Sequence, residues 1–213
     1  MARFDRMIFQ TLGAILLIVF GAAPASASPI TFSFQGTLTA VNSALSGTFS
    51  VGETIAGSYT FESTTPDIAP GDPNFGGYLG ASTNLSFTVD GYSGSFSSSG
   101  FNATTVALSF AGVDLYQVNI PFTGPLAGTA SPDLFALEIQ DTDQNAFATD
   151  ALPLSPPNLA LFEVRKITVF FRSAEGGESL AFVASLNQIP EPSTLMLLGL
   201  GLAGVGGLRR RWR

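Results

Sequence analysis

Asp141-Thr142-Asp143-Gln144-Asn145 sets three oxygen-bearing side chains at i, i+2 and i+4. A hard divalent cation gathers about six to eight oxygens, and this spacing can wrap part of such a shell around Ca2+. The pattern departs from an EF-hand loop, with Ala146 at the sixth position in place of glycine and Leu152 at the twelfth in place of glutamate. The same five residues also read as a polar turn closing a strand. A second candidate is the stretch 63–83, which reads as one long loop. Asp67, Asp72 and Asn74 could offer oxygens there, and Phe75 and Tyr78 could stack on sugar rings; the alternative is a solvated loop of Asx turns.

Glycoside hydrolysis needs two carboxylates about 5–9.5 Å apart. The strand-borne acids Glu62, Asp114, Glu138 and Glu163 take mostly outward phases and stand singly, as solvated face charges do. The 213-residue chain has no His and no Cys. That removes the Ser-His-Asp triad, imidazole and thiolate metal ligands, thiol nucleophiles and disulfides. A Ser-Lys pair would depend on Lys166, the single lysine. The sequence therefore reads as non-enzymatic and requires no cofactor, with Ca2+ at Asp141, Asp143 and Asn145 the one speculative exception.

Between Ser28 and Pro192 the chain carries fifteen acidic and three basic residues, a net charge of −12. No Lys or Arg occurs from Ser28 to Val164. A phosphate backbone would be repelled, so nucleic acid is not a partner.

The elements that must position these groups are strands. Phe32 and Phe34, then Ile55, Tyr59 and Phe61, then Leu85, Phe87 and Val89 alternate with polar neighbours. Val106, Leu108 and Phe110 repeat the pattern, as do Phe135, Leu137 and Ile139, and then Ile167, Val169 and Phe171, broken by Phe170. Period-two alternation buries one face of an antiparallel sheet and wets the other. Val113 to Ile120 changes phase midway, which predicts a bulge. Leu180 to Leu186 is apolar on both phases and predicts a central strand. Together with Gly, Pro, Asn and Asp punctuation, this gives an all-β class: an antiparallel β-sandwich or jelly-roll body over residues 28–189, flanked by an N-terminal signal peptide and a C-terminal short transmembrane helix.

The two flanks address the chain. Arg3 and Arg6 precede an apolar run from Leu12 to Ala23, and Ala25-Ser26-Ala27 is an A-x-A site, so residues 1–27 read as a signal peptide cleaved after Ala27. Pro190-Glu191-Pro192 is followed by sixteen uncharged residues, Ser193 to Leu208, and then by Arg209, Arg210, Arg211, Trp212 and Arg213. Sixteen helical residues rise about 24 Å against a hydrocarbon core of about 30 Å, a marginal span. The arginines belong on the cytoplasmic side, which leaves the body outside.

This tripartite tail, residues 190–213, resembles the PEP-CTERM protein-sorting signal. The resemblance implies that Pro190, Glu191 and Pro192 are a recognition motif. It implies that Arg209, Arg210, Arg211 and Arg213 act in retention, and that exosortase, a membrane-embedded transpeptidase of Gram-negative bacteria, processes the chain. Ser50 to Phe61 with Pro66-Asp67, Gly77-Tyr78 and the strand Leu85 to Val89 is similar, more loosely, to exported domains of the same family. The expected role is therefore that of an exosortase-sorted cell-surface or extracellular-matrix protein, structural or interacting, in an exopolysaccharide or biofilm setting. It would be membrane-held by its tail until processed. The alternatives are a carbohydrate-binding, lectin-like module in contact with extracellular polysaccharide, marked by a surface row of aromatics, and a glycoside-active enzyme.

Overall fold

The computed structural model describes residues 29–187, and ten strands account for most of them. They are β1 (Pro29–Val41), β2 (Thr54–Glu62), β3 (Phe75–Leu79), β4 (Ser82–Val89), β5 (Tyr92–Phe96), β6 (Ala103–Phe110), β7 (Val113–Thr123), β8 (Ser131–Asp141), β9 (Val164–Arg172) and β10 (Ser179–Asn187). Short 3-10 turns lie at Ser43–Leu45 and Leu159–Leu161. Each turn starts on an Asn, Asn42 or Asn158, whose side chain accepts the backbone N–H two residues on.

All pairings are antiparallel, and the sheet runs β3-β6-β7-β5-β4-β2-β1-β10-β9-β8. A further pairing of β8 with β7 closes it. The result is an eight-stranded barrel, β1-β2-β4-β5-β7-β8-β9-β10, with β6 and β3 branching from the edge of β7 that β5 leaves free. The all-β, antiparallel class is as the alternation predicts. The sheet closes on itself, however, where two stacked sheets are expected. Alternation reports which face is buried and is blind to whether the opposing face belongs to a second sheet or to the far wall of the same one. No helix among the described residues is long and apolar enough to cross a membrane; the signal-peptide and tail segments lie outside those residues.

An eight-stranded barrel is just wide enough for side chains to fill, and here aromatic rings fill it. Phe32 lies 5.2 Å from Tyr59, Phe34 5.1 Å from Phe135, Phe49 4.8 Å from Phe182 and Phe122 5.6 Å from Phe171, measured between ring centroids. The Tyr59 and Tyr116 hydroxyls hydrogen-bond to each other at 2.9 Å in this interior. Phe87 fits because Gly94 has no side chain: a Cβ there would stand 2.3 Å from the ring.

Three local readings change. The stretch 63–83 is a loop only to residue 74; β3 and the start of β4 occupy the rest. Gly76 and Gly77 hide that strand from any propensity argument. The bulge expected within Val113–Ile120 is absent, since β7 holds unbroken register from Asp114↔Asp141 to Pro121↔Leu134. The irregularity lies in its partner β6, between Ala107 and Phe110, and it turns Phe110 outward instead of into the core. The apparent phase change arises because the buried phase of β7 includes a charged residue, Asp114. β10 pairs with β1 and β9 as every strand of the closed ring pairs on both sides, and its burial is one-sided although its sequence is apolar on both phases.

Following the strand directions, one barrel end gathers the start of β1, the close of β10, the loop 63–74, the β6–β7 hairpin and the 22-residue loop 142–163. This is the tether end.

Candidate functional site

The tether end holds the buried charges. Asp114 near the start of β7 and Asp141 at the end of β8 are register partners, and each is 1% exposed. Asp141 Oδ1 accepts the backbone N–H of Asp143 at 2.9 Å, and Oδ2 accepts those of Asn145 and Ala146 at 2.8 Å each. The Asn145 N–H leads the hydrogen bonds that hold the carboxyl below the usual carboxylate range, against an opposing push from desolvation. Asp114 accepts the N–H of Ser109 at 3.0 Å and of Phe147 at 3.3 Å. One carboxylate thus folds the start of the 142–163 loop, and the other pins that loop to the β6–β7 hairpin. Gln144 completes the seam: its Oε1 accepts from Ser109 Oγ at 2.7 Å and its Nε2 donates to the Gly112 carbonyl at 2.9 Å.

Asp141, Asp143 and Glu163 bring carboxylate oxygens within 4.8 Å of one another. This is the group that could hold a divalent cation. It shares Asp141 and Asp143 with the set expected from sequence, but Asn145 enters through its backbone N–H to Asp141, and Glu163 joins from the far side of the loop. Glu163 Oε2 already accepts from the backbone N–H of Thr142 at 2.9 Å and from its Oγ1 at 3.2 Å. Asp141 and Glu163 thus also act as acceptors within the loop. A general acid needs a raised pKa, whereas the Asp141 carboxyl is held low.

The remaining candidates are tied into the structure. Asp67 Oδ1 accepts the N–H of Ala69 and of Gly77 at 2.9 Å each, and Asp72 Oδ1 that of Asn74 at 3.0 Å, so both are Asx caps. Tyr78 is buried and donates its hydroxyl to the Asp150 carbonyl at 2.9 Å, so it offers no stacking face. Burial first, then the Asp67 and Asp150 carboxylates, raise its pKa. Glu138 lies 3.2 Å from Lys166, its cross-strand neighbour, and also accepts from Gln140 Nε2 at 2.9 Å. At the opposite end, Asp133, Arg172, Gly177, Glu178 and Ser179 line an open groove of about 270 Å³ in which Arg172 is paired with Asp133 at 3.0 Å.

Sequence reasoning missed Glu163 and the inward placing of Asp114. Glu163 is twenty-two residues from Asp141, and only the β8–β9 pairing returns it. Asp114 did carry a signal: it sits where the alternation of β7 breaks.

Ala25, Ala27, Pro190, Glu191, Pro192, Arg209, Arg210, Arg211 and Arg213 lie outside the described residues. No curated protein and no solved structure matches the chain. Residues 188–211 do match the family model of the PEP-CTERM protein-sorting motif. The match stops short of the barrel, whose role rests on its own geometry. It takes in Pro190-Glu191-Pro192, the uncharged run and three of the four terminal arginines, so the chain carries the PEP-CTERM sorting motif, and that motif implies an exosortase-sorted protein of the cell surface or extracellular space.

Proposed function

We propose that this protein is a non-catalytic component of a Gram-negative exopolysaccharide or biofilm matrix, a stable β-barrel delivered outside the cell by the sorting tail. The tail is a temporary anchor: the run from Ser193 to Leu208 holds the chain in the membrane, the terminal arginines keep its end in the cytoplasm, and exosortase then releases the barrel. The observation that carries the reading is the motif match at residues 188–211. The barrel supports a structural or interacting role. Its interior is filled with packed rings, and its buried carboxylates serve as loop acceptors.

The lectin-like alternative ranks below this. All four tyrosines are buried, and among the described residues the exposed phenylalanines Phe101 and Phe110 do not form a row on one strand. A glycoside-active site ranks lower still, because Asp141 and Glu163 already hold loop N–H groups.

Intact mass spectrometry of the protein recovered outside its native cells tests the reading. The expected form begins at Ser28 and ends near Pro190-Glu191-Pro192 in cells with exosortase, and keeps Arg213 when that enzyme is deleted. A released form that is unchanged by the deletion overturns it.

A further inference from the structure

The strand β10 ends at Asn187, and Pro190 of the sorting motif follows after only Gln188 and Ile189. Three Cα steps reach at most about 11 Å, and the six steps to Ser193 about 22 Å. Covalent geometry therefore holds the tether end of the barrel against whatever grips the motif. The last β10–β9 pair is Ser185↔Lys166, so Asn187, two residues on, comes level with Val164, three residues after Leu161. The chain leaves the barrel beside the loop 142–163.

That loop is one part of a connected cap. The Tyr78 hydroxyl bound to the Asp150 carbonyl joins it to β3, and the Ile68 N–H bound to the Gly77 carbonyl joins the loop 63–74 to the same strand. Gln144 and Asp114 join it to the β6–β7 hairpin. Four large apolar side chains of the cap are exposed: Leu154 at 83%, Ile68 at 60%, Phe110 at 57% and Leu161 at 44%. An anionic lipid surface is a poor partner for them. The cap loops also carry Asp67, Asp72, Asp143, Asp150 and Glu163 with no Lys or Arg, and anionic headgroups repel such a rim.

We infer that this cap docks on the extracytoplasmic face of the exosortase while the motif is bound, so that the enzyme recognises its substrate through the folded barrel as well as through Pro190-Glu191-Pro192. The fitting surface on the enzyme is apolar with basic residues around it. The inference rests on the sorting reading above.

The test compares release rates of the full chain in its exosortase-bearing host, by pulse-chase and mass, in a two-by-two set. One axis is Leu154→Ser with Leu161→Ser, both exposed; the other is a twelve-residue Gly-Ser insertion after Asn187. The paired substitutions are expected to slow release about tenfold at the native spacing, the scale of losing a docking contact. They should have little effect in the chain carrying the insertion, where cap and motif are uncoupled. Equal release of the substituted and native chains, with unchanged melting temperature, overturns the inference. So does an equal slowing with and without the insertion, which would mark a folding defect. Binding of the released protein to phosphatidylglycerol vesicles that is lost with the two leucines overturns it in favour of a lipid surface. Release that persists without exosortase instead sinks the sorting reading itself.

Discussion

Asp114 and Asp141 face each other across β7 and β8, both buried, and each accepts backbone N–H groups from neighbouring segments. Like charges opposite one another on a ladder are ordinarily destabilising. Here each carboxylate turns to a different segment, Asp141 into the loop that follows it and Asp114 toward the hairpin at Ser109 and the loop at Phe147. The pair ties the loop 142–163 to the β6–β7 hairpin at the tether end, and the chain leading to the sorting motif leaves from beside that loop.

Asp141→Asn keeps the shape but puts an amide donor where an oxygen now accepts two N–H groups. Hydrogen bonds to a charged group are stronger than neutral ones, and some are retained by the remaining carbonyl, so a loss of stability is expected. Asp114→Asn, with two accepted bonds, should cost less. Urea denaturation of both variants checks the order. Amide exchange should quicken at Asp143, Asn145 and Ala146 in the first and at Ser109 and Phe147 in the second.

The depressed pKa of Asp141 gives an acid limb to stability. A carboxyl ionised more readily in the folded than in the unfolded state contributes stability above its unfolded value, near 3.9, and loses it as pH falls through the folded one. Thermal melts between about pH 5 and pH 2 should fall for the native protein, and the fall should be shallower for Asp141→Asn. Parallel slopes would place the acid sensitivity elsewhere.

Much of this barrel is legible in the residue pattern. Phe135, Leu137 and Ile139, or Ile167, Val169 and Phe171, declare the buried face of β8 and β9, because the burial is one-sided and the side chains are large. The strands that stay hidden are β3, with Gly76-Gly77, and β5, Tyr92-Ser93-Gly94-Ser95-Phe96, whose small residues make room for neighbours and leave no alternation to read. Ring closure is hidden for another reason: the β7–β8 pairing that seals the barrel is a matter of strand order, which side-chain period does not encode. The candidate cation group is half legible for the same reason. Asp141 and Asp143 are neighbours in sequence, whereas Glu163 arrives by tertiary pairing.

Gly94→Ala probes how tightly the rings are fitted. The added methyl would stand 2.3 Å from the Phe87 ring and 3.0 Å from that of Phe122, both inside the core. Overpacking of a filled interior costs about 1–3 kcal/mol, here toward the upper end because Phe87 also packs on Phe135. Combining it with Phe87→Leu should recover part of the loss. A double variant no more stable than the sum of the single effects would show that the strain falls on the backbone instead of the ring.

The Tyr59–Tyr116 hydrogen bond is a buried polar link among aromatic rings, in which one hydroxyl donates to the other so that each oxygen has a partner. Replacing either by Phe strands the other hydroxyl and should cost about 1–3 kcal/mol. Replacing both removes the desolvated pair together and should be close to neutral, so the coupling has the opposite sign to the single losses. Burial also raises both phenol pKa values, with the neighbouring hydroxyl raising Tyr59 further and lowering Tyr116 in part, and burial lifts Tyr92 to about 12. Groups raised in the folded state give full stability below their unfolded pKa near 10 and lose it above. The native barrel should therefore weaken as pH rises past about 10, and Tyr59→Phe with Tyr116→Phe should flatten that limb, leaving the parts that Tyr78 and Tyr92 contribute. Denaturation curves at pH 8 and pH 11 for the native protein, each single variant and the double variant measure the coupling and the slope in one series. Additive losses at pH 8 would mean that the two hydroxyls do not depend on each other.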